Sequence, residues 1–251
     1  MTQTDTDTST HSGDPTGGAP PPIVDRHFAD RFLRAVDRPL DYGVVLLFND
    51  WWAEAPQSAI DAYVGHLRQA PGADEFLAAR HLPEPTKVED LASCAAGTLG
   101  HGYHSFIVDN SLMANLGVDY RTFHDRLLAE GALDRLPDDL AYTIVRGFQI
   151  HDVLHTLTGF SPTRLGELAQ AGFHFAQLQF PYHAMRFAVT TAHLAFVDPA
   201  SITKAMDAMT DGWAMGRAAE NTHFHRWEDE WDTPLDELRE RFCVRPFASG
   251  A

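Results

Sequence analysis

Apolar side chains recur every three or four residues along most of this chain, and no stretch shows the alternation of a half-buried strand. Proline and glycine separate the successive helical patterns. A long pattern runs from Asp138 to Thr158 and carries Leu140, Ile144 and Phe148 on one face. Since no flexible linker is visible, the sequence predicts an all-α fold, a single-domain multi-helix bundle over residues 23–247.

Composition and charge narrow the possible partners and location. Residues 1–22 contain no Lys or Arg and few apolar side chains, so we predict a disordered tail there. The chain has 19 basic and 35 acidic side chains, and its net charge of −16 disfavours nucleic acid as a partner. Polar residues interrupt the apolar stretches, and the two cysteines, Cys94 and Cys243, lie far apart. We expect a cytoplasmic protein whose membrane contact, if any, is peripheral at the inner face.

Turn-forming residues predict that two of the helices form an antiparallel pair. Gly159 suits the C-cap of the Asp138–Thr158 helix, and Ser161 with Pro162 is predicted to begin the next helix. The chain therefore reverses direction between them. Pro181 is predicted to kink or split the second helix.

Two histidines and two acids on this helix pair have the spacing of a metal site. Residues four apart on a helix stack about 6 Å apart, so His151 and His155 can direct both imidazoles at one ion. His155 lies about one turn before the reversal and Glu167 about one turn after it, so the two are level. Asp152, at the edge of that face, either ligates or orients a histidine. Coordination positions stay open, which is typical of catalytic metal sites.

Other histidines give weaker signals in a chain that contains 14 of them. His174 lies two turns after Glu167 on the same face, where it either supports the site or is a hydrogen-bonded core residue. His223 and His225 are predicted to be solvated. A histidine pair four residues apart also arises by chance, so the adjoining Asp152 and the facing Glu167 are what favour a metal site.

The pattern His151-Asp152-x-x-His155, eleven residues and then Glu167 resembles the signature of the Coq4 family of ubiquinone (coenzyme Q) biosynthesis proteins. The resemblance covers most of the chain outside the tail. It includes Gly97-Thr98-Leu99-Gly100, Tyr103, Arg146, Gln177, Pro181 and the segment Trp227-Glu228-x-x-Trp231. The chain departs from the family pattern at Phe148, Ala171 and His174, where the family often has Arg, Lys and an acid.

This resemblance implies an all-helical protein that forms a homodimer and acts on a ring carrying a polyprenyl tail. The implied reaction is metal-dependent oxidative decarboxylation at ring carbon one, in which a hydroxyl replaces the carboxylate. The alternative is a non-catalytic lipid-binding scaffold that organises other ubiquinone-biosynthesis enzymes.

A phosphohydrolase of the HD type also contains a His-Asp pair, but it needs further His and Asp ligands whose spacing is not evident here.

The resemblance also implies roles for individual residues. The divalent metal, zinc or an iron-type ion, has as its implied ligands His151, Asp152, His155 and Glu167. Asp152 and Glu167 are implied to be catalytic as well. The residues implied to bind the substrate are Arg146, Tyr103 and Gln177.

Overall fold

The computed structural model describes residues 24–39, 51–52, 54–113 and 136–246, together with Leu47, Asp125, Leu128 and Ala129. Within these residues the regular structure is helical, and the extended backbone pairs at one isolated bridge, between Thr98 and Pro234. The predicted all-α class is therefore confirmed. The tail predicted at residues 1–22 lies outside the described residues. None of the described helices has the length and apolar character needed to cross a membrane.

The helices follow one another along the chain with short connections in the second half. In chain order the described α-helices are α1 (Arg26–Asp37), α2 (Gln57–Arg68), α3 (Ala73–Ala79), α4 (Leu99–Asp109), α5 (Asp138–Thr158), α6 (Arg164–Leu178), α7 (Pro181–Val197), α8 (Ile202–Ala218) and α9 (Leu235–Arg241). Short 3-10 turns lie at Val88–Ser93, Pro199–Ser201 and Trp227–Asp229. Helix α7 packs against α6, and α8 packs along α6. Helix α5 packs against α3, α4 and α9, and the short connection at Gly159 leads from it into α6.

Helix α5 has the bounds predicted from the sequence. Asp138 and Asp139 occupy its first turn, where carboxylates stabilise a helix N-terminus. Gly159 ends it with a left-handed φ of 78°, and its N–H donates to the carbonyl of His155 at 2.9 Å. This C-cap turns the chain towards α6 directly after the second histidine of the motif.

Helix α6 begins later than predicted. Its N-cap is Thr163 rather than Ser161, because the Thr163 hydroxyl accepts a hydrogen bond from the Gly166 N–H at 3.3 Å. The Ser161 hydroxyl instead forms a hydrogen bond with the Thr163 hydroxyl at 2.8 Å. The predicted split at Pro181 is confirmed, since α6 ends at Leu178 and proline is the first residue of α7.

The core holds α5 firmly among its neighbours. Most α5 side chains are buried, and Ile150, Leu154 and Leu157 pack in one cluster with Phe173 of α6 and Trp227. Burial of large apolar side chains stabilises the fold by about 1.5–3 kcal/mol each. The buried face of α5 therefore fixes the position of the helix that carries the histidine motif.

Glycines allow α6 and α8 to approach closely. A Cβ at Gly212 of α8 would lie 1.8 Å from the carbonyl oxygen of Ala169, and a Cβ at Gly172 of α6 would lie 2.3 Å from that of Met209. Both neighbours are helical backbone, which cannot move without displacing the helix. The close approach fixes the position of α6, on which Glu167 lies.

We expect Gly212→Ala to lower the free energy of unfolding by roughly 1–3 kcal/mol, because the added methyl group forces the two helices apart. The matched control is Gly65→Ala in α2, where a Cβ meets nothing within 4 Å. That change should stabilise the protein by roughly 0.5–1 kcal/mol through helix propensity. Urea unfolding measures both. Equal stability of the two variants would contradict the α6–α8 packing described.

Candidate functional site

The end of α5 and the start of α6 bring together three side chains that could hold a metal ion. His151, His155 and Glu167, which we call the His/Glu cluster, offer ligand atoms that all lie within 4.8 Å of one another. Nε2 of His155 lies 3.2 Å from Oε1 of Glu167, and Nε2 of His151 lies 3.5 Å from Oε2. No second group of three His, Cys, Asp or Glu side chains meets this spacing in the part of the chain that the structure describes.

Asp152 lies beside this cluster and contacts the other nitrogen of His151. Its Oδ1 is 3.0 Å from Nδ1 of His151, so the ring N–H at Nδ1 donates to the carboxylate. That leaves Nε2 of His151 facing Glu167. Of the two roles that the sequence left open for Asp152, this contact favours the one of orienting the imidazole.

His155 is held in the same way by the backbone. Its Nδ1–H donates to the carbonyl of Phe160 at 2.9 Å, and the residue is 1% exposed. Because a carbonyl only accepts, the neutral ring carries a bare lone pair at Nε2. That nitrogen is buried, has no hydrogen-bond partner among the described residues and faces a carboxylate oxygen. Two acceptors in contact repel each other unless a proton or a cation lies between them, so the donor set fits a metal ion.

The charges of the cluster point to the same conclusion. Burial by itself lowers the pKa of His151, but the carboxylates of Asp152 and Glu167 outweigh it and raise this pKa to about 9. Burial likewise raises the pKa of Glu167, yet the two imidazoles hold it well below its usual range. The site therefore favours positive charge between the two carboxylates. A proton on His151 or a bound divalent cation can supply it.

Two further histidines extend from the cluster as a row of parallel rings. The ring of His174 lies parallel to that of His151, with centroids 6.2 Å apart, and His183 of α7 lies parallel to His174 at 5.6 Å. His174 is 7% exposed, and its Nε2 lies 3.1 Å from the side-chain amide of Gln170. Burial lowers the pKa of His174 well below its usual range and that of His183 to about 3, so both rings are neutral. His174 is thus a buried, hydrogen-bonded residue that also lies against the cluster.

Arg186 of α7 also reaches the cluster and was not among the predicted site residues. Its Nη2 lies 3.7 Å from Oε2 of Glu167. The sequence contained a signal for it, because Arg186 is the one Asp, Glu, Lys or Arg residue within Pro181–Val197. That signal could not be used without knowing which face of α7 packs against α6.

The three residues predicted to bind substrate contact residues outside the His/Glu cluster, as follows. Arg146 is fully buried and pairs with Glu228. Tyr103 stacks on Trp231 with centroids 5.4 Å apart, beside a small cavity of about 30 Å³. The amide of Gln177 donates to the carbonyls of Gly216 and Ala219 and accepts from the Thr222 N–H. Their substrate-binding roles stay predictions.

The histidines near the chain's C-terminal segment differ from expectation. His223, predicted to be solvated, is 3% exposed, and its Nε2 donates to the carbonyl of Thr143 at 3.1 Å. The prediction was wrong because its partner is 80 residues away in sequence on α5, which no local pattern reveals. His225 is half-buried and lies 3.0 Å from a carboxylate oxygen of Glu230.

Comparison with known proteins identifies the family. A sequence model described as "Coenzyme Q (ubiquinone) biosynthesis protein Coq4" matches residues 57–247, which include the whole His/Glu cluster. The chain belongs to the Coq4 family. The match also includes the glycine-mediated packing of α6 against α8, so the site and the helices that position it lie within the family's domain.

Individual relatives agree with this assignment. The mitochondrial ubiquinone biosynthesis protein COQ4 homolog of Danio rerio is 30% identical over 161 residues, which cover 62% of this chain and 53% of that protein. The Rattus norvegicus homolog is 27% identical over 158 residues, covering 62% and 54%. The chain thus spans about half the length of the curated relatives it matches. A crystal structure from Nostoc punctiforme, titled as a candidate ubiquinone biosynthesis protein, shares the fold with a TM-score of 0.65 at 22% identity, over 86% of this chain and 93% of that one.

Proposed function

We propose that this protein acts in ubiquinone biosynthesis as a metal-dependent enzyme that oxidatively decarboxylates a polyprenylated benzoate-type ring at carbon one. The observation that carries the proposal is the buried Nε2 of His155, in a chain of the Coq4 family. Among the described residues this nitrogen has no hydrogen-bond partner, and it lies 3.2 Å from a carboxylate oxygen of Glu167. Family membership supports the pathway, and the donor set of the cluster supports the use of a metal.

The residues of the cluster suit an ion that binds organic acids. Two imidazoles and one carboxylate are the donor set of many iron(II) oxygenases, in which coordination positions remain open for substrate. When bound, the ion supplies a Lewis acid for carboxylate and phenolate oxygens, and a redox-active ion also accepts or donates electrons. Replacing a ring carboxylate with a hydroxyl releases carbon dioxide and consumes a two-electron oxidant, for which dioxygen is the co-substrate in this proposal. Zinc cannot pass electrons to that oxidant, because it does not change valence. An iron-type ion therefore fits this reaction better than zinc.

The protein's own contribution is to hold the ligands in one arrangement. The Asp152 carboxylate fixes the ring of His151, and the Phe160 carbonyl fixes that of His155, so both rings present Nε2 towards Glu167. Glu167 is ionised at neutral pH because its pKa is held well below its usual range. It can therefore ligate an ion, but it cannot act as a general acid.

An exposed apolar side chain one helical turn before the cluster suits a polyprenyl tail. Phe148, three residues before His151 on α5, is 46% exposed. Each side chain of this kind gains about 1.5–3 kcal/mol when an apolar ligand covers it. The homodimer and the partner enzymes stay predictions.

Asp152→Asn tests the proposed chemistry, because it keeps the shape of the side chain and an acceptor oxygen but removes the charge. Wild-type protein should restore ubiquinone to a deletion strain, whereas Asp152→Asn should restore little. Loss of an orienting carboxylate costs roughly 10–100-fold in metal affinity or activity. An intermediate that still carries its ring carboxylate should accumulate. Quantification of ubiquinone and its precursors by mass spectrometry measures both.

The matched control for that experiment is Asp207→Asn, the same change at an exposed position of α8. It should restore ubiquinone as the wild type does. Full rescue by Asp152→Asn would favour the scaffold, in which shape matters and site chemistry does not. Normal ubiquinone in the deletion strain, with no redundant copy present, would remove the protein from the pathway.

A further inference from the structure

Arg186 faces the His/Glu cluster across a long ion pair with Glu167. Its Nη2 is 3.7 Å from Oε2 of Glu167, which is too long for a hydrogen bond. Across the described residues, no hydrogen bond from this guanidinium is found, and its side chain is 26% exposed. The fork of N–H donors is therefore available to a ligand next to the carboxylate of Glu167.

The charge balance around Arg186 favours an anionic ligand. A partly buried charged side chain is stabilised by opposite charge, and α7 supplies none, because Pro181–Val197 contains no Asp or Glu. Glu167 is the facing acid, but its charge is shared with both histidines of the cluster. With a divalent ion bound, the ion and Arg186 outweigh the carboxylates of Asp152 and Glu167 by one positive charge. That excess is what a monoanionic ligand neutralises.

A second polar group near Arg186 has no hydrogen-bond partner among the described residues. This group is Nδ1 of His183, one turn earlier on α7, which is buried. The His183 ring is parallel to the ring of His174, and that ring is parallel to His151. A row of parallel rings thus runs from His183, one turn before Arg186, through His174 to His151 of the cluster. An aromatic ligand held beside Arg186 can stack at the end of this row, because offset aromatic rings attract one another.

We propose that Arg186 binds the carboxylate of the aromatic acid on which this protein acts. The guanidinium fork forms two parallel N–H···O bonds to a carboxylate, a geometry that lysine cannot reproduce. Arg186 thereby selects a ring acid over its neutral analogues and holds the acidic group next to Glu167. This inference rests on the proposed function for the identity of the ligand and adds the residue that recognises it.

The test compares a ring acid with its neutral amide on metal-loaded protein. The probes are geranylated para-hydroxybenzoate and the corresponding carboxamide, and their binding to zinc-loaded full-length protein is measured by calorimetry. Zinc is used because it does not change valence, so the acid is not consumed. Arg186→Gln should weaken binding of the acid roughly tenfold to hundredfold, the range for charge-assisted hydrogen bonds, and leave amide binding and zinc content unchanged. Arg186→Lys should fall between Gln and wild type.

The matched control is Arg217→Gln, which removes the same charge at an exposed position of α8 and should change the binding of neither probe.

Equal weakening of acid and amide binding by Arg186→Gln, or loss of zinc, would overturn the inference and make Arg186 a residue that positions Glu167. Failure of the wild type to prefer the acid would overturn it too, while rescue of ubiquinone that depends on Asp152 would still support the proposed function. Conversely, selective loss of acid binding together with full rescue by Asp152→Asn supports Arg186 and overturns the reaction.

Discussion

Replacing His155 with alanine should remove stoichiometric metal from this protein while leaving its helices in place. Nε2 of His155 is the most buried donor of the His/Glu cluster and has no other partner among the described residues. A four-ligand zinc site contributes about 10–16 kcal/mol, so one ligand accounts for roughly 3 kcal/mol, more than a hundredfold in affinity. Elemental analysis of the purified variant measures the metal, and far-UV circular dichroism measures the helices.

His193→Ala is the matched control for this change. Nδ1 of His193 donates to the carbonyl of Val36 at 2.8 Å, as Nδ1 of His155 does to the carbonyl of Phe160. Both variants lose one imidazole–carbonyl hydrogen bond, worth about 1 kcal/mol, but only His155→Ala loses a ligand of the cluster. One ion per chain in His155→Ala, equal to the control, would show that His155 does not bind the metal.

The sequence predicted the parts of this site that depend on local geometry. His151 and His155 lie four residues apart on a helix whose bounds, Asp138–Thr158, match the prediction. Glu167 could be placed level with them because Gly159 ends that helix and forces the chain to reverse. The start of α6 was missed by a few residues, yet Glu167 still meets the histidines, since a helix turn advances only 5.4 Å.

The parts that were missed depend on contacts between residues far apart in sequence. Arg186 reaches the cluster, and His183 stacks on His174 beside it, because α7 packs against α6. No periodicity in the sequence fixes how α7 is rotated about its axis. Likewise, the partner of the buried His223 is the Thr143 carbonyl on α5, far away in sequence. Residue type and spacing therefore predicted the three-residue cluster, whereas the packing of helices determines what surrounds it.

Replacing Arg146 with methionine should destabilise the fold more than any surface change of the same kind. Arg146 is fully buried, and its guanidinium donates to both carboxylate oxygens of Glu228 and, at 2.6 Å, to the carbonyl of His225. Burial by itself raises the pKa of Glu228, but Arg146 outweighs it and keeps the carboxyl ionised. Without Arg146 the carboxylate of Glu228 keeps a longer contact, 3.6 Å from its Oε2 to Nε2 of His81. Loss of the buried ion pair costs roughly 3–5 kcal/mol of unfolding free energy in urea titrations.

Two further variants decide what Arg146 does. Arg38→Met removes an exposed arginine paired with Asp37 and should cost about 0–1 kcal/mol. Arg146→Met combined with Glu228→Leu should recover much of the stability, because no charge is then left without a partner. An Arg146→Met variant as stable as Arg38→Met but unable to restore ubiquinone would instead favour the substrate-binding role implied by the family resemblance. A large loss of stability that the second substitution repairs makes Arg146 the buried anchor of the helix that carries His151 and His155.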